Sequence, residues 1–289
     1  MTMSTGSLLQ RAKQILYQAN LSSYSLDAEL ILADVSASTR ESIIIHPNEP
    51  VSYSRAKEFL CKIKRRAKQE PISHILKKRD FWCSSFFVNE HVLDPRPSSE
   101  TLIEQALLLY KNKSLALRML DLGSGSGCLL LSLLAEYRNA YGIGIEKSQQ
   151  ACFVARTNAA RLGLMNRALF LLRSWCSCCD SGIFAHKFNL LISNPPYIQS
   201  SHLVHYEVSK HEPRLALDGG VDGLICYRQI LLIAKKLLKL RGFLVMEIGR
   251  HQYIGILRLA KYYGFEVCDS AKDLSGIVRC VILRKMNKV

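Results

Sequence analysis

Strand-like and helix-like segments alternate along the chain from about residue 100 to its end, and this alternation constrains the fold most strongly. Predicted strands cover residues 115–122, 140–145, 168–172, 189–193, 242–248, 265–268 and 277–283. Predicted helices cover residues 128–137, 149–162, 224–240 and 252–263. Such alternation indicates an α/β fold in which a parallel sheet carries helices on both faces. The last two strands are joined only by a loop, so we expect them to be antiparallel.

The first part of the chain has a different pattern. Three stretches within residues 1–80 carry apolar residues at helical spacing. β-Forming side chains from Phe81 to Val92 then surround Asn89-Glu90 and lead into Pro95 and Pro97, which predicts a short β-hairpin. We therefore predict a helical substrate-recognition domain over residues 1–80, a β-hairpin linker over 81–98 and a catalytic domain over 99–289.

A glycine-rich loop follows the first strand of the α/β part. The strand ends at Asp121-Leu122, and the loop reads Gly123-Ser124-Gly125-Ser126-Gly127 before the next helix. Glycine permits the positive φ angles and the close backbone approach that a ligand-binding turn needs. The loop has no Gly-Lys-Ser/Thr ending of a Walker motif, and its alternate glycines do not match the G-x-G-x-x-G dinucleotide spacing.

Glu146 ends the second strand, 23 residues after Gly123. An acidic side chain at this place in an α/β sheet can accept hydrogen bonds from both hydroxyls of a ribose. A ribose ligand without a phosphate-binding loop indicates a nucleoside that carries no phosphate. S-Adenosylmethionine is the obvious candidate, and a structural turn followed by a surface glutamate is the alternative.

The fourth strand ends in a proline-rich tetrapeptide, Asn194-Pro195-Pro196-Tyr197. Two prolines make this loop rigid, and Pro195 lacks a backbone donor while the carbonyls stay available. The Asn194 side-chain oxygen and the Pro195 carbonyl can together accept both protons of a planar NH₂ group, on which Tyr197 can stack. The tetrapeptide therefore predicts catalysis by positioning a weak nitrogen nucleophile. A proline turn that only ends a strand is the alternative.

Positive charge is concentrated in the helical part. The chain carries 39 Lys and Arg against 24 Asp and Glu, a net charge of +15, and ten of these basic residues lie between Arg55 and Arg79. Such an excess favours an acidic or nucleic-acid partner but does not determine a fold. This basic stretch is either a solvated helix face or a docking surface.

Together, Asp121 to Gly127, Glu146 and Asn194 to Tyr197 resemble class I S-adenosylmethionine-dependent methyltransferases that modify planar amino nitrogens. Adenine-N6, guanine-N2 and glutamine-N5 methyltransferases share the tetrapeptide, so it does not distinguish them. The segments that do are similar to the release factor glutamine methyltransferases, and they comprise residues 71–76, 79–82, 95–97, 212–224, 242–249 and 273–279. An adenine-N6 or guanine-N2 nucleic-acid methyltransferase is the alternative.

The resemblance implies a seven-stranded Rossmann-like methyltransferase sheet and methyl transfer from S-adenosylmethionine to the glutamine of the Gly-Gly-Gln motif in class 1 peptide chain release factors. It implies a cofactor site and a substrate site that share Asn194. The expected cofactor-binding residues are Gly123, Ser124, Gly125, Ser126, Gly127, Glu146, Trp175 and Asn194. The expected substrate-binding residues are Asn194, Pro195, Pro196 and Tyr197, of which Asn194, Pro195 and Tyr197 are expected to be catalytic.

Three further sets of residues allow more than one interpretation. Ser174 stands where the family often has an aspartate beside the adenine. Glu212 and Arg214 either order a loop over the substrate or pair with each other. We expect no metal site, although a cluster of cysteines and a loop of histidines contain metal-ligand types (Cys176, Cys178 and Cys179; His202, His205 and His211).

The sequence also predicts where the protein acts. The first ten residues lack the basic start and apolar core of a signal peptide, and the longest apolar runs are far shorter than the roughly 20 residues of a membrane span. We therefore expect a cytoplasmic monomer whose ten cysteines stay reduced, with no membrane and no direct nucleic-acid substrate.

Overall fold

The structure, a computed structural model, describes residues 3–175, 184, 187–203 and 211–286. The chain divides after Lys78 into two compact units. Within the described ranges, no helix is both long and apolar enough to span a membrane.

The first unit is a small helical bundle with its own core. Buried apolar residues of α4, such as Phe59 and Ile63, pack with Leu8, Leu16 and Ile31 because helical spacing brings them to one face. Ser52 begins α4, and its hydroxyl accepts a hydrogen bond from the Arg55 backbone N–H. The elements are β1 (Met3–Ser4), α1 (Thr5–Gln18), α2 (Tyr24–Ser36), α3 (Arg40–Ile45), β2 (Pro50–Val51), α4 (Tyr53–Ala67) and α5 (Ile72–Leu76).

Several basic residues of α4 are held in ion pairs within this unit. Arg66 contacts the buried carboxylate of Asp27 at 2.7 Å, and Arg65 contacts Glu70 at 2.5 Å. Lys62 contacts Asp34 at 2.8 Å. These three cations therefore stabilise the first unit through ion pairs within it. Other basic residues of the same helix are exposed, namely Arg55, Lys57 and Lys64.

The second unit is built on a seven-stranded sheet, which confirms the predicted fold class. The sheet has the strand order β10-β11-β9-β8-β5-β6-β7, and β11 runs antiparallel to the other six strands. The elements are β3 (Arg79–Phe81), β4 (Ser84–Phe86), α6 (Glu100–Leu109), β5 (Arg118–Leu122), α7 (Cys128–Glu136), β6 (Tyr141–Glu146), α8 (Gln149–Arg161), β7 (Ala168–Leu172), β8 (Phe188–Ser193), α9 (Ile225–Leu237), β9 (Leu238–Glu247), α10 (Tyr253–Tyr263), β10 (Phe265–Lys272) and β11 (Val278–Lys285).

Apolar side chains on both faces of the sheet make two cores. Along β8, Leu190 and Ile192 join the core that contains α6, α7 and α8, whereas Leu191 joins the core that contains α9 and α10. The alternation follows from the two-residue period of a strand. The central strands are consequently apolar on both sides, as expected for a parallel sheet between two helical layers.

The predicted hairpin is placed wrongly along the chain. Its strands are β3 and β4, so the turn lies at Trp82-Cys83 and not at Asn89-Glu90. Trp82 adopts a positive φ of 54° and is held there because its backbone N–H donates to Glu100 and its indole N–H to Glu136. The rings of Phe81 and Phe86 are buried and pack edge to face across the hairpin.

Two helix predictions also need correction. The helix predicted over residues 224–240 ends at Leu237, because Leu238 is extended and pairs with Phe188 at the start of β9. Helix α6 was not predicted, since its apolar residues adjoin the proline segment 95–97 without a strong start signal. The predicted antiparallel pairing of the last two strands is confirmed.

Candidate active site

The predicted glycine loop and the proline-rich tetrapeptide meet at the carboxyl ends of two adjacent parallel strands. β5 lies between β6 and β8, with Asp121 opposite Ile192, so the chain order reverses at the β5–β8 pair. The Ser193 hydroxyl donates to the Leu122 carbonyl at 2.6 Å and joins the two strand ends. Ligands of open α/β sheets bind at such a switch point.

Positive φ angles shape the glycine loop. Gly123, Gly125 and Gly127 have φ values of +79°, +53° and +79°. A Cβ on Gly127 would lie 2.9 Å from the Phe170 ring, so this glycine permits the loop to pack against β7. Gly127 also directly precedes Cys128, the first residue of α7.

Glu146 is tied to the glycine loop. Its carboxylate accepts hydrogen bonds from the Gly125 backbone N–H at 2.9 Å and from the Ser148 backbone N–H at 2.8 Å. Each of these two bonds uses a different carboxylate oxygen, so both oxygens retain further acceptor capacity. Only 7% of the Glu146 surface is exposed, and this residue forms part of the cavity wall.

Asp121 lies fully buried two residues before the loop. Neither of its carboxylate oxygens has a hydrogen-bond partner among the described residues. Burial raises the pKa of this carboxyl to about 7 against the lowering effect of the Ser124 hydroxyl, and the negative charge of Glu146 adds to the increase. Asp121 therefore holds a proton far more readily than an ordinary aspartate does.

One cavity of about 520 Å³ joins these parts. Of the predicted site residues, Gly127, Pro195 and Tyr197 adjoin it without forming its wall. The other predicted residues form part of the wall, namely Gly123, Ser124, Gly125, Ser126, Glu146, Trp175, Asn194 and Pro196. The volume is within the roughly 300–1,000 Å³ typical of small-molecule sites.

The wall fits S-adenosylmethionine. A Cβ on Gly123 would lie 3.1 Å from the Trp175 ring, so glycine keeps open the space beside this half-buried indole. Glu146 offers acceptor atoms suited to ribose hydroxyls.

The tetrapeptide is anchored from behind by residues that the sequence did not mark as part of the site. The Asn194 side-chain NH₂ donates to the Ser99 hydroxyl at 3.1 Å, and that hydroxyl donates to Glu247 at 2.5 Å. The Tyr197 hydroxyl lies 3.5 Å from the other Glu247 oxygen. Pro195 is buried and Pro196 is half-buried. An acidic residue at the end of the strand next to β8 was the signal that could have revealed Glu247.

Two cysteines that no sequence pattern marked, Cys128 and Cys226, also form part of the cavity wall. Burial raises the pKa of the Cys128 thiol to about 12 and that of the Cys226 thiol to about 11. The cluster of Cys176, Cys178 and Cys179 lies outside the described residues.

The structure excludes one of the two interpretations of Glu212 and Arg214. Glu212 accepts hydrogen bonds from the Asp94 backbone N–H and from Arg96, whereas Arg214 contacts Asp218 at 3.3 Å. The mutual pairing of Glu212 and Arg214 is therefore wrong. Within the described ranges, no group of three or more metal-ligand side chains lies close enough to hold an ion; His205 is outside those ranges.

Comparisons with known proteins agree with this architecture. A family model described as PrmC N-terminal domain matches residues 7–76, and one described as Methyltransferase small domain matches residues 98–221. A solved methyltransferase from Pyrococcus furiosus has a TM-score of 0.51 and 16% identity, and the match covers 82% of this chain and all of that one. At this identity the likeness shows the fold alone.

Full-length relatives identify the family. A release factor glutamine methyltransferase from Caulobacter vibrioides is 38% identical over 284 residues, which cover 98% of this chain and 96% of that protein. One from Rhodospirillum rubrum is 37% identical over 282 residues, which cover 97% of this chain and 85% of that protein. The resemblance read from the sequence is confirmed, and the chain belongs to the family of release factor glutamine methyltransferases.

Proposed function

We propose that this protein transfers a methyl group from S-adenosylmethionine to the side-chain amide nitrogen of the glutamine in the Gly-Gly-Gln motif of class 1 peptide chain release factors. Full-length relatives with that activity in their names support the proposal. The observation that carries it is the single cavity bounded by Glu146 on one side and by Asn194 and Pro196 on the other. A nucleoside and a planar amide can thus meet in one place.

The cofactor side of the cavity is assigned to the glycine loop, Glu146 and Trp175. When bound, S-adenosylmethionine supplies a methyl group activated on a positively charged sulfur. Glu146 would accept hydrogen bonds from ribose hydroxyls while the Gly125 and Ser148 amides hold its carboxylate in place. Trp175 would lie against the adenine, and the glycine loop would adjoin the methionine portion.

The substrate side is assigned to the tetrapeptide. Asn194 Oδ1 and the Pro195 carbonyl would each accept one proton of the glutamine NH₂ group, with Tyr197 against the planar carboxamide. These contacts would hold the substrate nitrogen in the orientation needed to receive the methyl group that the cofactor supplies. Positioning of this kind can contribute several kcal/mol to a reaction that needs no strong base. The extra proton on nitrogen leaves to solvent afterwards.

Methyl transfer to a purified release factor tests the proposal. Tritiated cofactor is incubated with the release factor, either intact or with the motif glutamine changed to alanine, and an Asn194→Ala enzyme is the matched control. We expect label only in the intact substrate and at least a hundredfold loss with Asn194→Ala. Equal labelling of both substrates would refute it. Label that disappears on nuclease treatment would instead indicate a nucleic-acid methyltransferase.

The helical unit is assigned to substrate recognition, and the exposed basic face of α4 to docking. Arg65 and Arg66 do not suit a test of docking, because their ion pairs stabilise the unit itself. The exposed Arg55, Lys57 and Lys64 do suit it. Reversal of these three charges to glutamate should raise KM for the release factor several-fold at low salt, with kcat unchanged.

A matched triple reversal on α9 and α10 controls for net charge, since Lys236, Arg258 and Lys261 are also exposed. Equal KM values for the two triple variants would show that the α4 face is only a solvated surface.

The proposal also includes a monomeric enzyme that acts in the cytoplasm. Light scattering of the purified protein would check the oligomeric state, and cell fractionation would check the location.

A further inference from the structure

A buried carboxylate lies directly behind the tetrapeptide. Glu247 is the last residue of β9 and is only 1% exposed. Its Oε2 accepts a hydrogen bond from the Ser99 hydroxyl, with 2.5 Å between the two oxygens. Its other oxygen lies 3.5 Å from the Tyr197 hydroxyl. The two polar side chains of the tetrapeptide thus converge on one group, Asn194 through Ser99 and Tyr197 directly.

Proton counting fixes the direction of these bonds. A hydroxyl has one proton and can accept through its lone pairs, whereas an ionised carboxylate can only accept. The Ser99 proton therefore points to Glu247, and Ser99 accepts from the NH₂ group of Asn194. Among the described residues no hydrogen bond uses Asn194 Oδ1, so this orientation leaves the oxygen available at the cavity wall.

The orientation matters because the two ends of an amide have opposite hydrogen-bonding roles. If the Asn194 amide rotated by half a turn, its NH₂ group would face the substrate NH₂ group and two donors would oppose each other. We propose that Ser99 and Glu247 are positioning residues that set the Asn194 side chain with its oxygen toward the substrate amide. This inference rests on the proposed function, because it assumes a substrate that donates to Asn194.

Charge on Glu247 is the condition for this arrangement. Burial raises the pKa of Glu247 to about 7, against the lowering effects of Ser99, Arg279, Tyr197 and Arg96. Tyr227 on α9 and Cys280 on β11 face the same carboxylate. Burial raises the pKa values of the Tyr227 phenol and of the Cys280 thiol, so both groups stay neutral. Protonated Glu247 would donate to Ser99, whose proton would then turn to Asn194 and favour the rotated amide.

The test compares Ser99→Ala, Ser99→Thr and Glu247→Gln with wild type, using methylation of the release factor across pH 5.5–9 (roughly centred on the pKa of Glu247). We expect kcat to fall about tenfold in Ser99→Ala, to recover within about threefold in Ser99→Thr, and to be low at every pH in Glu247→Gln. Wild type should lose activity as the pH falls below about 7, whereas Glu247→Gln should lack this acidic limb. The Kd for S-adenosylmethionine should change much less than kcat in all three variants, because Glu146, Trp175 and the glycine loop are unaltered.

Ser132→Ala is the matched control, because Ser132 is another buried serine and its hydroxyl has no hydrogen-bond partner among the described residues. It should keep wild-type kcat. If wild type methylates only the intact motif and both Ser99→Ala and Glu247→Gln keep kcat within twofold, the inference is overturned. It is also overturned if Glu247→Gln still loses activity at acidic pH as wild type does. A wild-type protein that labels no glutamine would refute the proposed function itself and this inference with it.

Discussion

A single methyl group added at Gly219 should slow methyl transfer without weakening cofactor binding. Gly219 packs against the backbone of the tetrapeptide from outside the cavity. A Cβ there would lie 2.8 Å from both the carbonyl carbon and the Cα of Tyr197, and 3.0 Å from the Pro196 carbonyl oxygen. Gly219 is not among the glycines with a positive φ, so the expected effect comes from this contact.

The size of the effect follows from the distances. Ordinary contact between carbon atoms begins near 3.5 Å, so the Tyr197 backbone and the new methyl group must separate by about 0.7 Å. Relief is restricted because the Gly219 N–H donates to the Ile198 carbonyl at 2.8 Å and the Ile198 N–H donates to Leu217 at 3.0 Å. A misplacement approaching 1 Å of catalytic groups can cost about a hundredfold in rate.

We therefore expect Gly219→Ala to lower kcat by about tenfold to a hundredfold, while calorimetry gives a Kd for S-adenosylmethionine within twofold of wild type. Overpacking should also cost about 1–3 kcal/mol of stability, measured by urea unfolding. Gly255→Ala is the control, since a Cβ there meets only Leu224 at an ordinary 3.6 Å. A Gly219→Ala enzyme with kcat within threefold of wild type would refute the proposed placement of the tetrapeptide.

Three further perturbations test the cofactor site and the two folded units. Glu146→Gln should raise the calorimetric Kd for S-adenosylmethionine roughly 10- to 150-fold, because a hydrogen bond to a charged group contributes about 1.5–3 kcal/mol; an unchanged Kd would contradict the ribose assignment. Arg66→Leu should lower the free energy of unfolding in urea by about 3 kcal/mol, because it leaves the buried Asp27 carboxylate without its cation. Lys64→Leu, at an exposed position of the same helix, should change it by less than about 0.5 kcal/mol. Asp121→Asn should become more stable relative to wild type as the pH rises from about 4 to 7, because Asp121 keeps a proton in the folded chain that it releases in the unfolded chain. The melting temperatures of the two proteins are compared at pH 5 and pH 8 without cofactor. If the difference between them is the same at both pH values, the pKa of Asp121 is not raised.

Local patterns in the sequence were sufficient to predict the sheet, because its strands are apolar on both faces and separated by helical stretches. They failed where tertiary contacts decide the conformation. The Trp82 turn depends on Glu100 and Glu136, which are distant in sequence, and Leu238 leaves its helix because Phe188 pairs with it. No local signal specifies such pairings.

The site shows the same division. The cofactor loop and the tetrapeptide are contiguous motifs, so their residues could be named before the fold was known. Ser99 and Glu247 are 148 positions apart and meet only because α6 begins beside the end of β9. The pairing of Glu212 with Arg96 is likewise long-range, and proximity in sequence wrongly suggested Arg214.

The two cysteines of the cavity wall bear on the chemistry in another way. A thiolate is a far stronger nucleophile than a carboxamide, so an ionised cysteine beside an activated methyl group would be alkylated first. Burial raises the pKa of Cys128 to about 12 and that of Cys226 to about 11, so both thiols stay protonated at pH 7. Burial thus keeps these two thiols from competing with the weak amide nucleophile for the methyl group.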